Sequence, residues 1–258
     1  MPPLIFITGA SSGIGQALAK RFYDAGYSLA LAARRTAEIH TWAQAEKLDP
    51  QRFQVYSADV SDIESIVAAG QQCIQAQGLP DVVVANAGIS IGMDTGVRTD
   101  LDVMQRTFAT NNLGLAATFH PFVRAMEQRG SGRLVGIGSV AGIRGLPGHG
   151  AYCASKAAVI AYCESLRGEL RASGVHVVTI CPGYIDTPLT RQNRYSMPFL
   201  MRPEVFADKA FDAVQRGDRY RVIPWQMGWV AKMLRALPDA WFDRVLAGRP
   251  RKRRADEA

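Results

Sequence analysis

Thr8-Gly9-Ala10-Ser11-Ser12-Gly13-Ile14-Gly15 is the stretch whose reading decides the fold. An apolar run, Leu4-Ile5-Phe6-Ile7, leads into it, and an amphipathic pattern over 13–25 leads out. A strand that turns on glycines into a helix aims the helix's first, unbonded N–H groups past the strand end. Those groups and the helix dipole suit an anion, above all the pyrophosphate of a dinucleotide. Gly9 permits the tight turn, Gly13 keeps a Cβ out of the phosphate approach, and Gly15 lets helix and strand pack closely. Ser11, Ser12 and Ile14 complete the cradle.

Outward from this turn, short apolar runs alternate with helical patterns. Strands are expected at 4–8, 28–33, 53–58, 81–85, 133–138, 175–181 and 220–223, with helices at 13–25, 37–48, 62–77, 101–128, 151–172 and 203–216. That alternation implies an α/β fold, a doubly wound (Rossmann-type) parallel sheet with helices on both faces. The 258 residues fit one domain, and no linker or internal repeat divides them. Residues 1–224 are expected to form it, with a substrate-covering loop at about 189–203. An amphipathic helical extension over 225–248 and a basic, disordered tail over 249–258 follow.

Composition excludes several classes. Cys73, Cys153, Cys163 and Cys181 form no C-x-x-C pair and no zinc-like spacing with the four histidines, so no metal is expected and the thiols read as reduced. No signal peptide precedes the first strand, and no apolar stretch is long enough to span a bilayer, which points to a cytoplasmic protein. The net charge of +7 owes much to Arg249, Arg251, Lys252, Arg253 and Arg254. No nucleic-acid reading module accompanies that tail, so no nucleic-acid partner is expected.

The second strand ends Leu31-Ala32-Ala33-Arg34-Arg35, where a dinucleotide fold meets the adenosine ribose. An acidic residue there accepts bonds from ribose hydroxyls and repels a 2′-phosphate, whereas a guanidinium grips the phosphate with two parallel bonds. NADP(H) is therefore expected over NAD(H), with Arg34 as the first holder and Arg35 and Ser12 in support.

The glycine spacing T-G-x-x-x-G-x-G resembles the short-chain dehydrogenase/reductase family. So do Asn86-Ala87-Gly88 after the fourth strand, Tyr152-Cys153-Ala154-Ser155-Lys156, and Pro182-Gly183 with Thr187 beyond the sixth strand. The resemblance runs from about Leu4 to Thr187 and weakens beyond it. It implies an oxidoreductase that moves a hydride between nicotinamide and a carbonyl or alcohol carbon. Tyr152 and Lys156, four apart, project from one helix face. Hydride transfer to a carbonyl develops an alkoxide that needs a proton, and Tyr152 is the expected acid/base. A phenol titrates near ~10, and a neighbouring ammonium and an oxidised nicotinamide are expected to bring it down.

By the same resemblance Lys156 also holds the nicotinamide ribose. Ser139, thirteen positions before Tyr152, bonds the substrate oxygen. The family's asparagine lies three before a glycine, which selects Asn111 over Asn112; a helix distortion there is expected to let a water reach the lysine. Asp59 and Val60 would meet the adenine, although Asp59 also reads as a helix cap. Asn86, Ala87 and Gly88 would border the cofactor. Pro182, Gly183, Ile185 and Thr187 would lie by the nicotinamide, with Thr187 bonding its carboxamide. A serine hydrolase is set aside, since no G-x-S-x-G elbow is present.

The expected substrate is a hydrophobic ketone or alcohol, a bulky carbonyl compound such as a 3-oxoacyl, steroid or long-chain ketone. A non-catalytic dinucleotide-binding sensor or scaffold is the alternative from another class. Beyond Tyr220–Ile223, a helical wheel puts Trp229, Val230, Met233, Leu234 and Leu237 on a wide apolar arc, and Lys232 and Arg235 on a narrow one. The segment either folds onto its own domain or a partner subunit, or makes peripheral contact with a membrane. In the family the helices that correspond to 101–128 and 151–172 often pair across a two-fold axis, and the last helix and strand across a second that completes a tetramer. An extension folded over its own last strand blocks the second axis and gives the expected homodimer, whereas one that reaches over a neighbour leaves a tetramer.

Overall fold

The computed structural model describes residues 2–193, 195–248, 251, 252 and 254. Seven strands form one parallel sheet: β1 (Leu4–Thr8), β2 (Ser28–Ala33), β3 (Phe53–Ser57), β4 (Val82–Ala85), β5 (Gly132–Ile137), β6 (Val175–Pro182) and β7 (Tyr220–Ile223). Their order in space is β3-β2-β1-β4-β5-β6-β7. The chain winds outward from β1 in one direction and from β4 in the other, so a crevice opens at the carboxyl ends of β1 and β4.

Side chains alternate between the two faces of a strand, which gives the sheet two cores. On one face Ile5, Ile7, Leu29, Leu31, Val82 and Val84 pack beneath α1 (Gly13–Asp24), α2 (Thr36–Ala45) and α8 (Pro203–Arg216). On the other, Leu4, Phe6, Ala30, Ala32, Val83 and Ala85 lie beneath α3 (Ile63–Gln77), α5 (Gly114–Arg129) and α6 (Gly150–Glu169). These strands read as unbroken apolar runs because both of their faces are covered. All four cysteines are free thiols buried in this interior.

The helix expected over 101–128 is two helices, α4 (Asp100–Phe108) and α5, joined by a wide π-helical turn at Ala109–Leu113. The region beyond β6 holds a one-turn helix, α7 (Pro188–Arg191), that periodicity did not reveal. A bridge between Ile185 and Met201 pins the base of the excursion between them. Arg194 of that excursion lies outside the described residues.

The C-terminal extension forms α9 (Trp225–Ala236) and α10 (Asp239–Leu246) and folds back on its own domain. Met227 and Ala231 face inward, Leu234 and Leu237 are half-buried, and Trp229 and Met233 face out, so the buried arc is rotated from the one the wheel gave. Arg144 anchors the pair. It donates to the carbonyls of Leu234 and Leu237, meets Asp239 at 2.9 Å, and stacks its guanidinium 3.7 Å over Phe242. Of the basic tail, Arg249 and Arg253 lie outside the described residues. Three of its described residues make contacts with the domain. Arg254 pairs with the buried Asp100 at 2.7 Å, Lys252 donates to Ser90 at 2.8 Å, and Arg251 lies against Gly148. No helix among the described residues is long and apolar enough to cross a membrane.

Candidate active site

A single cleft at the carboxyl ends of the central strands gathers most of the residues singled out above. Gly9, Ser11, Ser12, Gly13, Ile14, Arg34, Arg35, Asp59 and Val60 line one end. Asn86, Ala87, Gly88, Ser139, Tyr152, Lys156, Pro182, Gly183, Ile185 and Thr187 line the rest. Gly15 and Asn111 stand behind the wall. Ile89, Thr110, Ile137, Gly138, Leu189 and Thr190 also face the cleft. No local chemistry in the sequence marked them; adjacency to motif residues was the one available signal.

The glycine turn is built as the spacing requires. Gly9 (φ +67°) and Gly13 (φ +56°) occupy the left-handed region, where a side chain is strained. A Cβ on Gly15 would drive into the Gly9 carbonyl, so helix and turn touch backbone to backbone. Asn86 ties the turn to the neighbouring strand: its Nδ2 donates to the Thr8 carbonyl at 3.0 Å, and its N–H donates to the Thr8 hydroxyl at 3.1 Å. Ser12 is the N-cap of α1 but makes no side-chain cap, and the first turn of α1 carries no acidic residue. The helix therefore offers free N–H groups into an anion-sized cradle, a fit for a pyrophosphate.

At the adenosine end, Arg35 donates to the Ser11 hydroxyl at 3.4 Å and pairs with Glu38 at 3.3 Å. Arg34 meets Asp59 at 3.5 Å. Burial acts to raise the Asp59 carboxyl, but bonds from Ser61 and the Arg34 charge outweigh it and hold it below its usual value. Asp59 thus caps the turn at Ser61 through bonds of 2.9 Å and 2.7 Å, and the cap of α3 is Asp62.

At the other end Tyr152 and Lys156 project from α6, and Ser139 stands just beyond β5. Burial pushes the Tyr152 phenol up to about 12, with the Ser139 hydroxyl opposing. This direction is opposite to the sequence-based expectation. The reason is the phenol's own burial; the Lys156 ammonium lies 5.9 Å from the Tyr152 ring centroid, and burial lowers it to about 8. Lys156 Nζ donates to the Ile137 carbonyl at 2.8 Å. A Cβ placed on Gly88 would come within 3.2 Å of Asn111 Oδ1 and 3.6 Å of Lys156 Nζ, so both border the space over Gly88.

Asn111 lies in the π-helical turn and is 1 % exposed. It accepts from the Ile89 N–H at 2.9 Å and donates to the Ile89 carbonyl at 3.0 Å and to Ser155 Oγ at 2.9 Å. Asn112 instead donates to the Ser155 carbonyl at 2.8 Å, and its Oδ1 has no partner among the described residues. Thr187 lines the cleft but also caps α7 in a reciprocal pair with Thr190, so its hydroxyl is already engaged. His149, the N-cap of α6, was given no role by sequence. It is buried, with Nε2 3.2 Å from the Tyr195 hydroxyl.

Comparison with known proteins gives consistent findings. A family model described as short chain dehydrogenase matches residues 3–197. An uncharacterized oxidoreductase of Myxococcus xanthus is 38 % identical over 242 residues, 92 % of this chain and 93 % of that one. The mouse dehydrogenase/reductase SDR family member 7B is 31 % identical over 99 % of this chain and 83 % of its own. A solved short-chain dehydrogenase from Streptomyces avermitilis superposes with a TM-score of 0.81 at 26 % identity, covering 96 % of this chain and 95 % of that one.

Proposed function

Because the chain belongs to the short-chain dehydrogenase family, we propose that it is an NADP(H)-dependent oxidoreductase acting on a hydrophobic ketone or alcohol. The observation that carries this reading is one continuous cleft with two ends of different chemistry. Arg34 and Arg35 border one end, and Ser139, Tyr152 and Lys156 border the other. The cofactor supplies the hydride. The free N–H groups of α1 receive its pyrophosphate, and Arg34, backed by Arg35 and Ser12, receives the 2′-phosphate. Lys156 holds the nicotinamide ribose hydroxyls, and Pro182, Gly183, Ile185 and Thr187 border the ring.

The residues then divide the proton work. Ser139 orients the substrate oxygen toward Tyr152. Tyr152 is held as the neutral phenol by its burial, the form a proton donor needs in carbonyl reduction. Lys156 stabilises the phenolate left behind, and Asn111 holds the wall through which a proton returns.

Loss of NADPH absorbance across a panel of ketones tests the reading. Tyr152→Phe is expected to abolish turnover while NADPH binding stays within about twofold, since only the proton donor is removed. Arg34→Asp is expected to invert the order of NADPH and NADH affinity. A phenylalanine variant that keeps most of its activity, or a wild-type protein indifferent to the 2′-phosphate, overturns the respective assignment.

A further inference from the structure

Three of the four tryptophans in the chain lie in the C-terminal extension, and the structure leaves all three in the open. Trp225, Trp229 and Met233 recur at every fourth position along α9 and are 64 %, 62 % and 70 % exposed. Trp241 and Val245 repeat the spacing on α10, at 62 % and 45 %. The surface continues past Trp225 into a groove that also holds the exposed Phe199 and Leu200. Those two belong to the excursion that follows α7, whose Leu189 and Thr190 border the cleft. The docking needs of the segment do not explain this stripe. Met227, Ala231, Phe242 and Leu246 bury the opposite faces, and Arg144 clamps the two helices in place. An exposed apolar stripe such as that on α9 marks a contact site.

The rim is positive. In the groove Arg202, Lys209, Arg216 and Arg221 face Asp212, and Asp218 serves both Arg216 and Arg221. On α9 and α10, Lys232, Arg235 and Arg244 stand against Asp239 and Asp243, and Asp239 is taken by Arg144. Lys232 lies 5.3 Å over the Trp229 ring, a cation held at the edge of the aromatic stripe. Exposed indoles ringed by Lys and Arg match the interfacial zone of a bilayer, where indole sits at headgroup depth and the cations meet phosphate. A second copy fits less well. A two-fold interface sets each patch on itself, and its positive rim would then oppose a positive rim.

We infer that the exposed stripe Trp225, Trp229 and Met233 of α9, together with Trp241 on α10, docks on a bilayer containing anionic phospholipid. The surface needs no turnover, so it stands or falls apart from the oxidoreductase reading.

The test uses the full chain and sucrose-loaded vesicles, either phosphatidylcholine alone or an equimolar mixture with phosphatidylglycerol. The protein is expected to sediment with the mixed vesicles, more weakly at high salt, with a blue shift of tryptophan emission. Trp229→Glu with Met233→Glu is expected to weaken partition by on the order of tenfold at unchanged circular dichroism. Trp241→Ser, on the other helix, provides an independent variant. Absence of binding to the mixed vesicles, or binding undiminished in both variants, overturns the proposal. So does a wild-type dimer by light scattering that the Glu variant converts to monomer without any vesicle binding, since the patch then belongs to a second copy.

Discussion

Lys156 is a cation placed where cations are costly. It is 5 % exposed, and among the described residues its hydrogen bond to the Ile137 carbonyl leaves the charge without a carboxylate. Burial lowers it from 10.5 to about 8, so the folded protein holds this proton less tightly than the unfolded chain does. The sign follows from linkage. The penalty is present in full below about pH 8 and is relieved as pH rises from there toward 10.5. Lys156→Met is expected to stabilise the ligand-free protein by roughly 2 kcal/mol at pH 7, after allowance for the lost hydrogen bond, and to abolish turnover. Chemical denaturation at pH 7 and pH 10 checks it: the advantage of Met shrinks at the higher pH. An equal advantage at both pH values would mean that the charge is not what the site bears. The lysine itself was legible in the sequence through its spacing from Tyr152. Its cost was not, because burial of a helix face depends on what packs against it.

Between α4 and α5, the wide turn at Ala109–Leu113 is an element whose irregularity does the positioning. The turn sets Asn111 inward, where it links the Ile89 backbone to Ser155 on α6. Asn111→Leu keeps the size and removes every bond. Buried groups of Ile89 and Ser155 then lose their partners, and the expected destabilisation is about 2–4 kcal/mol. Thermal unfolding gives that value. A kcat that falls further than KM changes separates positioning of the proton path from mere loosening. Apolar periodicity pointed to helix across the whole of 101–128, and helix is present on both sides of the turn. A single widened turn leaves that pattern almost intact, so periodicity could not reveal it. The asparagine was found by its distance from Gly114 instead. The strands were the easier case, since a parallel strand covered on both faces must be apolar throughout. The outward face of α9 was the harder one. Trp229 and Met233 look like core residues on a wheel, and only the docking through Met227 and Ala231 decides that they face out.

At the scale of the whole molecule, Arg144 joins the loop between β5 and α6 to the C-terminal helices. Its guanidinium satisfies two carbonyls at the end of α9, pairs with Asp239 and covers Phe242. Its side chain is only 11 % exposed. Arg144→Ala is expected to cost about 2–4 kcal/mol, because buried carbonyls lose a charged donor and Phe242 loses its cover. Limited proteolysis is expected to cut first between Pro224 and Gly248 in this variant. Resistance there equal to wild type would show that burial of Met227 and Phe242 alone holds the helices. The tail residues Lys252 and Arg254 reach back to Ser90 and Asp100, so the chain end touches the loop after β4.

The pairing of β1 with β4 joins residues 5–7 to 82–84, and the hydroxyl of Thr8 receives the N–H groups of Asn86 and Ala87 across that seam. The glycine turn lies on one side of the seam and Tyr152 and Lys156 on the other. Closing a loop of this length carries an entropic cost that pairing of nearer strands does not. A growing chain that has emerged only as far as β3 already carries the complete glycine motif. It still has no Asn86 to hold the turn and no neighbouring strand to form the crevice. The anion cradle is therefore complete only once β4 has paired with β1, and the glycine motif alone does not make the crevice.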